Sequence, residues 1–462
     1  MSKTSLALLL CLIAVAAVSA ASQSGPLTII DHATIIDGNG GPALKDGAIV
    51  IQGERIQQIG PRGTIKPPPG TILIDATGKF VIPGLIDAHI HFDQSGDIFT
   101  RPDAVDLRKV RSYADELAWT KMRLPVTLMR YIASGVTSVV DMGGPLWTYD
   151  VRDQASKTAN SPRVAVAGPL IATAGDPAFS ETDPALIVAT SPEMARELVR
   201  KNADHHPDLT KILFVRGNGD PDKQFAVVKA AAEESHARGI RVAVHATELD
   251  TAKMALRAGA DILVHSVEDR RIDREFIDLA KGRNVLYITT LIVTEGYDEV
   301  FGQDVKLTDI EQQLGDPQVI ATWSQLAKTP ANEIPGGVPP PNQRDSQQTQ
   351  FMNLQLLEST GIRIVAGTDA GNIGTLHGPA IHREFELMAS AGMRPADILV
   401  AATKNGAAVM GREADLGTLQ KGKYADLVIL DADPLRDIRN ARKISKVIKN
   451  GAVMDISTNA LK

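Results

Sequence analysis

The sequence has very little cysteine and no strong excess of either charge. Cys11 is its only cysteine, and the formal net charge is −6 over 462 residues. A chain without a basic field has no electrostatic attraction for a nucleic-acid backbone, so we expect no nucleic-acid partner. Hydrophobic residues make up 44% and charged residues 23%, which is typical of a globular chain. The length allows more than one domain.

The N-terminal segment, residues 1–20, has the features of a secretory signal peptide. Lys3 precedes an apolar run over residues 6–18, and small residues follow that run. The run is shorter than the span of about 20 apolar residues that crosses a membrane, and an uncleaved anchor is the alternative. Cleavage would remove Cys11, so a transition metal would be bound through nitrogen and oxygen ligands alone. We expect a secreted or periplasmic protein without membrane association after cleavage.

The pattern of strands and helices predicts an α/β fold in two parts. Residues 26–84 and 411–456 have alternating apolar positions broken by glycine, which predicts a small β-sandwich domain built from both chain ends. Residues 85–410 alternate between apolar strands and helix-period segments, which predicts a parallel (β/α)8 TIM barrel. A doubly wound open sheet is the alternative, but no G-x-G-x-x-G motif follows these strands. The predicted barrel strands are LIDAHIHF, GVTSVVDM, RVAVAGPLIA, LTKILFV, RVAVHA, ILVHSV, VLYITTLI and RIVAGTDA.

A long connection, from about Thr294 to Gln350, follows the seventh predicted strand. It contains the proline- and glycine-rich stretch TPANEIPGGVPPPNQRD. Connections of this length are usually either functional or disordered. If this one is functional, we expect it to lie over the C-terminal mouth of the barrel, where active sites of this fold occur.

Metal-binding side chains occur at the ends of several predicted strands. His89 and His91 stand two positions apart in DAHIHF, so on a strand both side chains leave the same face. His245 ends RVAVHA, His265 ends ILVHSV, and Asp369 ends RIVAGTDA. Burying such groups without partners is costly, and coordination of a metal removes that cost. The pattern predicts a metal site at one end of the barrel.

These motifs resemble the amidohydrolase superfamily, and within it the imidazolonepropionase-like and metal-dependent dipeptidase (prolidase)-like group. The resemblance spans nearly all of the chain after the N-terminal segment. The motifs that carry it are, in chain order, VIPGLIDAHIHF, HATELDTAKMALRAGADILVHSV, GTDAG, GTLQKGKYADLVILDADP and KVIKNGAVM.

The resemblance implies a role for each matching residue. His89 and His91 match the ligands of the more buried metal, and His245 and His265 match those of a second metal. Asp369 matches the residue that contacts metal and accepts the proton of the attacking water.

Lys211, in DLTKILFV, matches a position where many relatives carry a carboxylated lysine that bridges two metals. Two cations about 3.5–4 Å apart require such a bridging anion. The implied cofactor is therefore two zinc ions bridged by carboxylated Lys211. An unmodified Lys211 paired with a carboxylate, beside a single metal, is the alternative.

Three further residues are candidates for substrate binding. Arg216 follows the fourth predicted strand and could hold a substrate carboxylate through its planar guanidinium, or form a salt bridge instead. His377, in TLHG, could touch substrate or shape its loop. Tyr297 could line the pocket or merely pack.

The ligand set and the resemblance together imply a hydrolase that attacks an amide bond with metal-activated water. Asp369 would transfer the proton, and His265 would stabilise the developing oxyanion. We expect a small-molecule substrate, a dipeptide or an N-acyl amino acid, and homo-oligomerisation is open. The alternatives are cyclic amide opening as in imidazolonepropionase, lactone or ester hydrolysis, a mononuclear deaminase, and a non-catalytic metal-binding protein. Export counts against imidazolonepropionase, since histidine catabolism is normally intracellular.

Overall fold

The structure is a computed structural model that describes residues 27–175, 182–217, 219–341 and 344–461, and the predicted signal peptide lies outside these residues. The strands are β1 (Leu27–Ile35), β2 (Leu44–Gln52), β3 (Arg55–Pro61), β4 (Ile72–Asp75), β5 (Phe80–Pro83), β6 (Leu85–Ile90), β7 (Val136–Asp141), β8 (Arg163–Val166), β9 (Leu170–Ala172), β10 (Leu186–Val188), β11 (Thr210–Leu213), β12 (Val242–His245), β13 (Ile262–Val264), β14 (Leu286–Ile288), β15 (Arg363–Val365), β16 (Leu427–Leu430), β17 (Ile444–Lys449) and β18 (Ala452–Val453).

The helices are α1 (Tyr113–Ala133), α2 (Thr148–Ala155), α3 (Pro192–Ala203), α4 (Pro221–Ala237), α5 (Leu249–Ala258), α6 (Arg274–Gly282), α7 (Ile292–Phe301), α8 (Asp309–Leu314), α9 (Pro317–Trp323), α10 (Arg344–Thr360), α11 (Ala380–Ser390), α12 (Pro395–Ala401) and α13 (Lys404–Val409). Within the described ranges, none of these helices has the length and apolar character needed to cross a membrane.

Strands from both chain ends build one β unit. They are hydrogen-bonded into a single eight-stranded sheet in the order β18-β17-β16-β5-β1-β2-β3, with β4 paired to β1. The two ends meet where β5 pairs antiparallel with β16, with Val81 opposite Ile429. Ile30, Ile49 and Leu427 belong to the buried core of this unit. The hydrogen bonds join all the strands in one sheet, and they do not divide them into the two sheets of the predicted sandwich.

The middle of the chain contains every strand predicted for the barrel, and all of them pair in parallel. β6, β7 and β8 form one sheet, and β10, β9, β11, β12, β13, β14 and β15 form another in that order. The third predicted strand is split into β8 and β9 at Gly168, whose φ of +73° lies outside the β region. β10 is an additional strand that extends the second sheet beside β9.

Backbone hydrogen bonds connect the first of these parallel strands to the last. Ala88 N donates to Ala366 O at 3.1 Å, and His91 N donates to Ala370 O at 2.9 Å. These bonds bring the end of β6 beside the end of β15, although no continuous ladder joins the two sheets of the described chain. The predicted α/β class is confirmed as a barrel-type arrangement of parallel strands, and a fully closed eight-stranded ladder is not observed among these residues.

Helices between the strands begin and end at residues suited to those positions. The side chain of Ser191 precedes α3 and accepts a hydrogen bond from the backbone N–H of Met194, and Asp273 caps α6 in the same way. Gly259 ends α5 with a left-handed φ of +119°. The apolar faces of these helices share one buried core with the strands, and burial contributes about 25 cal/mol per Å² of apolar surface.

The long connection after β14 is structured over residues 292–341, which we call the cover segment. It contains α7, α8 and α9, and its apolar residues Val300, Trp323 and Leu326 pack with Phe99 and Val105 from the loop after β6. The indole N–H of Trp323 also donates to the backbone oxygen of Gly96 at 2.9 Å. The cover segment is therefore held against the loop that follows the first barrel strand.

Candidate metal and active site

His89 and His91 come together at the end of β6, as their spacing predicts. Both side chains are buried, and their Nε2 atoms lie 3.2 Å apart. Nδ1 of His91 faces the backbone oxygen of Gly143 at 2.5 Å, which fixes that ring by a bond on the side away from His89. The two-residue alternation of a strand thus delivers two imidazole nitrogens to one point.

Asp369 faces this pair from the segment after β15. Its Oδ1 lies 3.2 Å from His89 Nε2 and 3.1 Å from His91 Nε2. The backbone of Asp369 is left-handed, with φ of +58°, and its N–H donates to His89 O at 2.7 Å. The same backbone bonds that join the first and last barrel strands therefore position the carboxylate against the two histidines.

His245 and His265 complete the histidine cluster. The ring centroid of His265 lies 4.9 Å from that of His89 and 4.4 Å from that of His245. Nδ1 of His265 lies 2.7 Å from Thr290 Oγ1, which orients the ring. His89, His265 and Asp369 each offer a ligand atom, and these atoms lie within 4.8 Å of one another.

Lys211 lies on β11 and lines the same cavity. Its side chain is only 2% exposed. Burial lowers the pKa of Lys211 to about 8, against the opposing attraction of Asp369 and Asp141. A larger share of neutral amine therefore exists here than at a surface lysine, and neutral amine is the form that reacts with carbon dioxide.

Three of the four histidines of the cluster are held in the neutral form that binds metal. Desolvation lowers the pKa of His89 and His245 well below the usual range and lowers that of His265 to about 3. Burial also lowers the pKa of His91, but the hydrogen bond to Asp369 and the negative charge of that carboxylate outweigh burial, and the net pKa is raised. A neutral imidazole is a metal ligand, whereas imidazolium is not.

The residues of this cluster fit a divalent metal. All the donors are nitrogen or oxygen, and imidazole with carboxylate suits zinc and similar ions. His89 Nδ1 is buried without a hydrogen-bond partner among the described residues, and Asp369 Oδ1 is buried between two imidazole nitrogens. A buried carboxylate that three imidazoles surround needs positive charge to compensate it, and metal would supply that charge.

A cavity of about 370 Å³ opens in front of the cluster. That volume is within the range of small-molecule sites. His91, Lys211, His245, His265 and Asp369 line it, so a ligand in the cavity reaches the proposed metal-binding atoms directly.

The structure brings one of the three predicted substrate-binding residues into this cavity. Tyr297, on α7, lines it and donates its hydroxyl to Asn372 Oδ1 at 2.9 Å. Arg216 is half exposed, with Nη1 3.8 Å from Asp250 Oδ2, and it is not among the residues that line the cavity. His377 is buried elsewhere, with its ring nitrogens 2.7 Å from Tyr131 Oη and 2.7 Å from Gln94 O.

The cavity also contains residues that the sequence did not single out, namely Asp93, Arg101, Asp103, Glu268 and Asn372. Most of them lie in loops, where no periodicity indicates which way a side chain points. Asp93 is the exception that a signal could have identified. It stands two positions beyond His91 in HIHFD and so continues the alternation of the two histidines.

Comparison with known proteins places this geometry in a family. The model of the Amidohydrolase family matches residues 80–454. Ochratoxinase from Aspergillus niger is 24% identical over 94% of this chain and 88% of its own length. Imidazolonepropionase from Streptomyces avermitilis is 26% identical over 84% of this chain and 81% of its own.

Solved structures agree with these sequence relatives. A Xaa-Pro dipeptidase with methionine bound in its active site is 25% identical, with a TM-score of 0.70, over 93% of this chain and 100% of its own. A prolidase-type structure from Bifidobacterium longum is 26% identical, also with a TM-score of 0.70, over 93% of this chain and 94% of its own. The resemblance inferred from the motifs is confirmed. Because the family match covers most of the chain, the protein belongs to the amidohydrolase family and is a hydrolase that acts on carbon–nitrogen bonds.

Proposed function

We propose that this enzyme hydrolyses the amide bond of a dipeptide or an N-acyl amino acid with metal-activated water. The observation that supports this most is the convergence of four histidines and a carboxylate, of which three histidines and the carboxylate line one cavity of about 370 Å³. The proposed ligands are His89, His91, Lys211, His245, His265 and Asp369, which would hold two zinc ions.

The protein's own residues have distinct roles in this reaction. A divalent metal held by these residues would supply hydroxide near neutral pH and would polarise the scissile carbonyl. Asp369, in contact distance of the histidine pair, accepts a proton from the attacking water and donates it to the leaving nitrogen. His265 lines the cavity beside Asp369 and stabilises the negative charge that develops on the carbonyl oxygen.

Lys211 acts in this proposal as a carboxylated lysine. The burial of its amine and its position on the cavity wall support the modification, because a carbamate there would balance two cations. A retained, unmodified ammonium would instead add positive charge beside His89 and His245. The alternative is a site with a single metal ion.

The substrate class rests on the cavity and on the relatives. The cavity is the size of a small molecule, and the proposed metal ligands are among the residues that line it. One structural relative is a Xaa-Pro dipeptidase, which supports an amide with an amino-acid leaving group. Opening of a cyclic amide and hydrolysis of a lactone or ester would use the same metal centre. A substrate screen distinguishes these reactions from the one proposed.

The cellular placement and domain limits are part of the proposal. Residues 1–20 support export to the periplasm or the medium, after which cleavage leaves the mature enzyme. The limits 26–84, 85–410 and 411–456 stay predictions, because strand bounds do not show which parts fold independently. Homo-oligomerisation also stays open.

A substrate screen tests the proposed function. The purified, zinc-loaded enzyme is assayed for release of free amino acid from dipeptides and N-acyl amino acids, with cyclic amides and lactones in parallel. Metal-dependent release from the first two classes, abolished by a chelator and restored by zinc, is the expected result. Turnover confined to cyclic amides or lactones would overturn the proposed substrate class.

A further inference from the structure

Asp93 is a buried carboxylate for which the proposed mechanism has no use. The residue is 1% exposed, and neither carboxylate oxygen has a hydrogen-bond partner among the described residues. Burying a carboxylate without partners costs several kcal/mol, so such groups are normally paired or serve a ligand. Asp93 lines the same cavity as the proposed metal ligands and stands two residues beyond His91.

The charge balance of the cavity favours a cationic group. Apart from the proposed metal ligands, the charged residues that line the described part of the cavity are Asp93, Arg101, Asp103 and Glu268. The guanidinium of Arg101 is engaged by Asp103, with Nε and Nη2 donating at 2.8 and 2.7 Å, and Nη1 donates to Asn372 Oδ1. Among these four residues, Asp93 and Glu268 are thus left without a paired cation, whereas the charge of Arg101 is already neutralised by Asp103.

Gln350 adds a second unused acceptor to the wall. Its Nε2 donates to Glu268 Oε2 at 2.9 Å, which fixes the orientation of the amide because a carboxylate only accepts. The Oε1 atom of Gln350 is consequently left buried without a partner. The cavity therefore offers unused acceptors on both Asp93 and Gln350, and a ligand rich in N–H donors would satisfy them.

Gly144 keeps one side of the Asp93 carboxylate free of a side chain. A Cβ atom at position 144 would lie 3.1 Å from Asp93 Oδ1 and 2.8 Å from Thr148 Cγ2. The neighbouring Gly143 lines the cavity itself. The backbone thus approaches the buried Asp93 carboxylate without placing a side chain against it on this side.

From these observations we propose that Asp93 binds the positively charged amino group of the substrate and so selects dipeptides with a free N-terminus over N-acyl amino acids. This inference rests on the proposed function. The α-amino nitrogen of a dipeptide is two bonds from the scissile carbonyl carbon, and Asp93 lines the same cavity as the proposed metal ligands. The α-amino group has a pKa of about 8, so it is charged near neutral pH.

Matched substrates test the inference directly. Alanyl-leucine and propionyl-leucine differ only in the α-amino group, and the same pairs are made with proline, phenylalanine and methionine. In the zinc-loaded wild-type enzyme, kcat/KM for the alanyl member should exceed that for the propionyl member by about 10- to 100-fold, as for a charged hydrogen bond. Asp93→Asn should bring this ratio close to one.

Asp97→Asn is the matched control. Asp97 is a buried aspartate in the same loop, is paired with Arg111, and is not among the residues that line the cavity. The alanyl-to-propionyl ratio should survive this substitution. Zinc content and the thermal midpoint are measured for both variants, so that damage to the neighbouring His91 is detected.

Each outcome bears on a different claim. Equal wild-type rates on the two members of a pair would overturn the role of the amino group while leaving amide hydrolysis in place. A ratio that persists in a folded, zinc-containing Asp93→Asn variant would overturn the assignment to Asp93. Turnover of neither series would overturn the proposed function itself, and this inference with it.

Discussion

Two residues of the proposed site adopt a backbone conformation that ordinary side chains avoid. Asp369 and His265 have φ of +58° and +73°. Such conformations persist only where surrounding bonds hold them, and they cluster at functional sites. Asp369 is held by its N–H to His89 O at 2.7 Å, and its own carbonyl oxygen accepts from Asn372 Nδ2 at 3.2 Å. The strain therefore lies at the residue assigned the proton transfer.

Asp369→Asn separates this chemical role from the structural one. Asparagine has the same shape and tolerates a left-handed backbone, so the fold should be kept. It cannot accept the proton of water, and kcat should fall by about 100- to 10,000-fold. Steady-state kinetics, metal analysis and the thermal midpoint are the measurements. Turnover within about threefold of wild type would remove Asp369 as the proton carrier.

Lys211→Ala tests the bridge between two metals. Without an anion at this position two adjacent cations repel, so bound zinc should fall from about two to about one per chain. Lys211→Glu places a carboxylate on the same strand and serves as the matched variant, which should recover part of the second equivalent. Zinc is counted by elemental analysis after gel filtration. If the wild type and Lys211→Ala each bind about one zinc ion per chain, the site holds a single metal ion.

At this scale, the sequence predicts ligands on strands far better than residues in loops. His89, His245 and His265 end apolar strands, where the alternation of the strand and the polarity of the side chain together indicate a function. Arg101 and Asn372 lie in connections, and their meeting depends on how two loops fold together. No local pattern encodes that meeting.

At the scale of elements, parallel strands were predictable and their interruptions were not. A buried parallel strand is recognisable as a short apolar run, which is why all the predicted barrel strands are present. The division of the third strand at Gly168 and the added β10 depend on local conformation and pairing. The cover segment was predicted only as a loop, because its short helices are stabilised by contacts with the loop after β6.

Trp323 connects the cover segment to that loop, and its replacement tests the connection. Trp323 is 3% exposed within the cluster that joins the two. Trp323→Ala removes a large buried ring and should destabilise the segment by about 3 kcal/mol, raising KM and accelerating proteolysis between residues 324 and 341. The global thermal midpoint should change less, because the main core is separate.

Trp323→Phe is the milder control. Phenylalanine keeps an aromatic ring and loses the indole N–H, while Gly96 O retains its bond from Gly374 N at 3.1 Å. The expected cost is about 1 kcal/mol. If Trp323→Ala greatly lowers the global thermal midpoint and leaves KM unchanged, the cover segment unfolds together with the main core and does not act on substrate binding.

At the scale of the whole molecule, distant parts of the chain depend on one another. The sheet from both chain ends closes only when β5 and β16 pair, so it needs the intervening barrel to bring them together. Sequence predicts that both ends form one unit from their shared alternation. The number of sheets is a matter of long-range pairing, which alternation does not specify.

A buried histidine that does not line the cavity links global stability to pH. His382, on α11, is 3% exposed, and its Nε2 lies 2.9 Å from the backbone oxygen of Ser134 at the end of α1. Desolvation lowers the pKa of His382 to about 4 from the ordinary value of 6.5. The unfolded chain therefore binds a proton below about pH 6.5 that the folded chain refuses until about pH 4.

His382→Gln should make the protein less sensitive to acid. Because the unfolded state binds more protons between pH 6.5 and 4, stability falls as the pH is lowered through that window, by about 1.4 kcal/mol per pH unit for this residue. Glutamine can still donate to Ser134 O but does not titrate. The variant should therefore lack the part of the pH dependence of the unfolding free energy that His382 contributes. Urea unfolding of chelated wild type and variant at pH 7.5, 6.0 and 5.0 measures the difference. If the free energy of unfolding changes with pH equally in the two proteins, His382 takes up its proton equally in the folded and unfolded states.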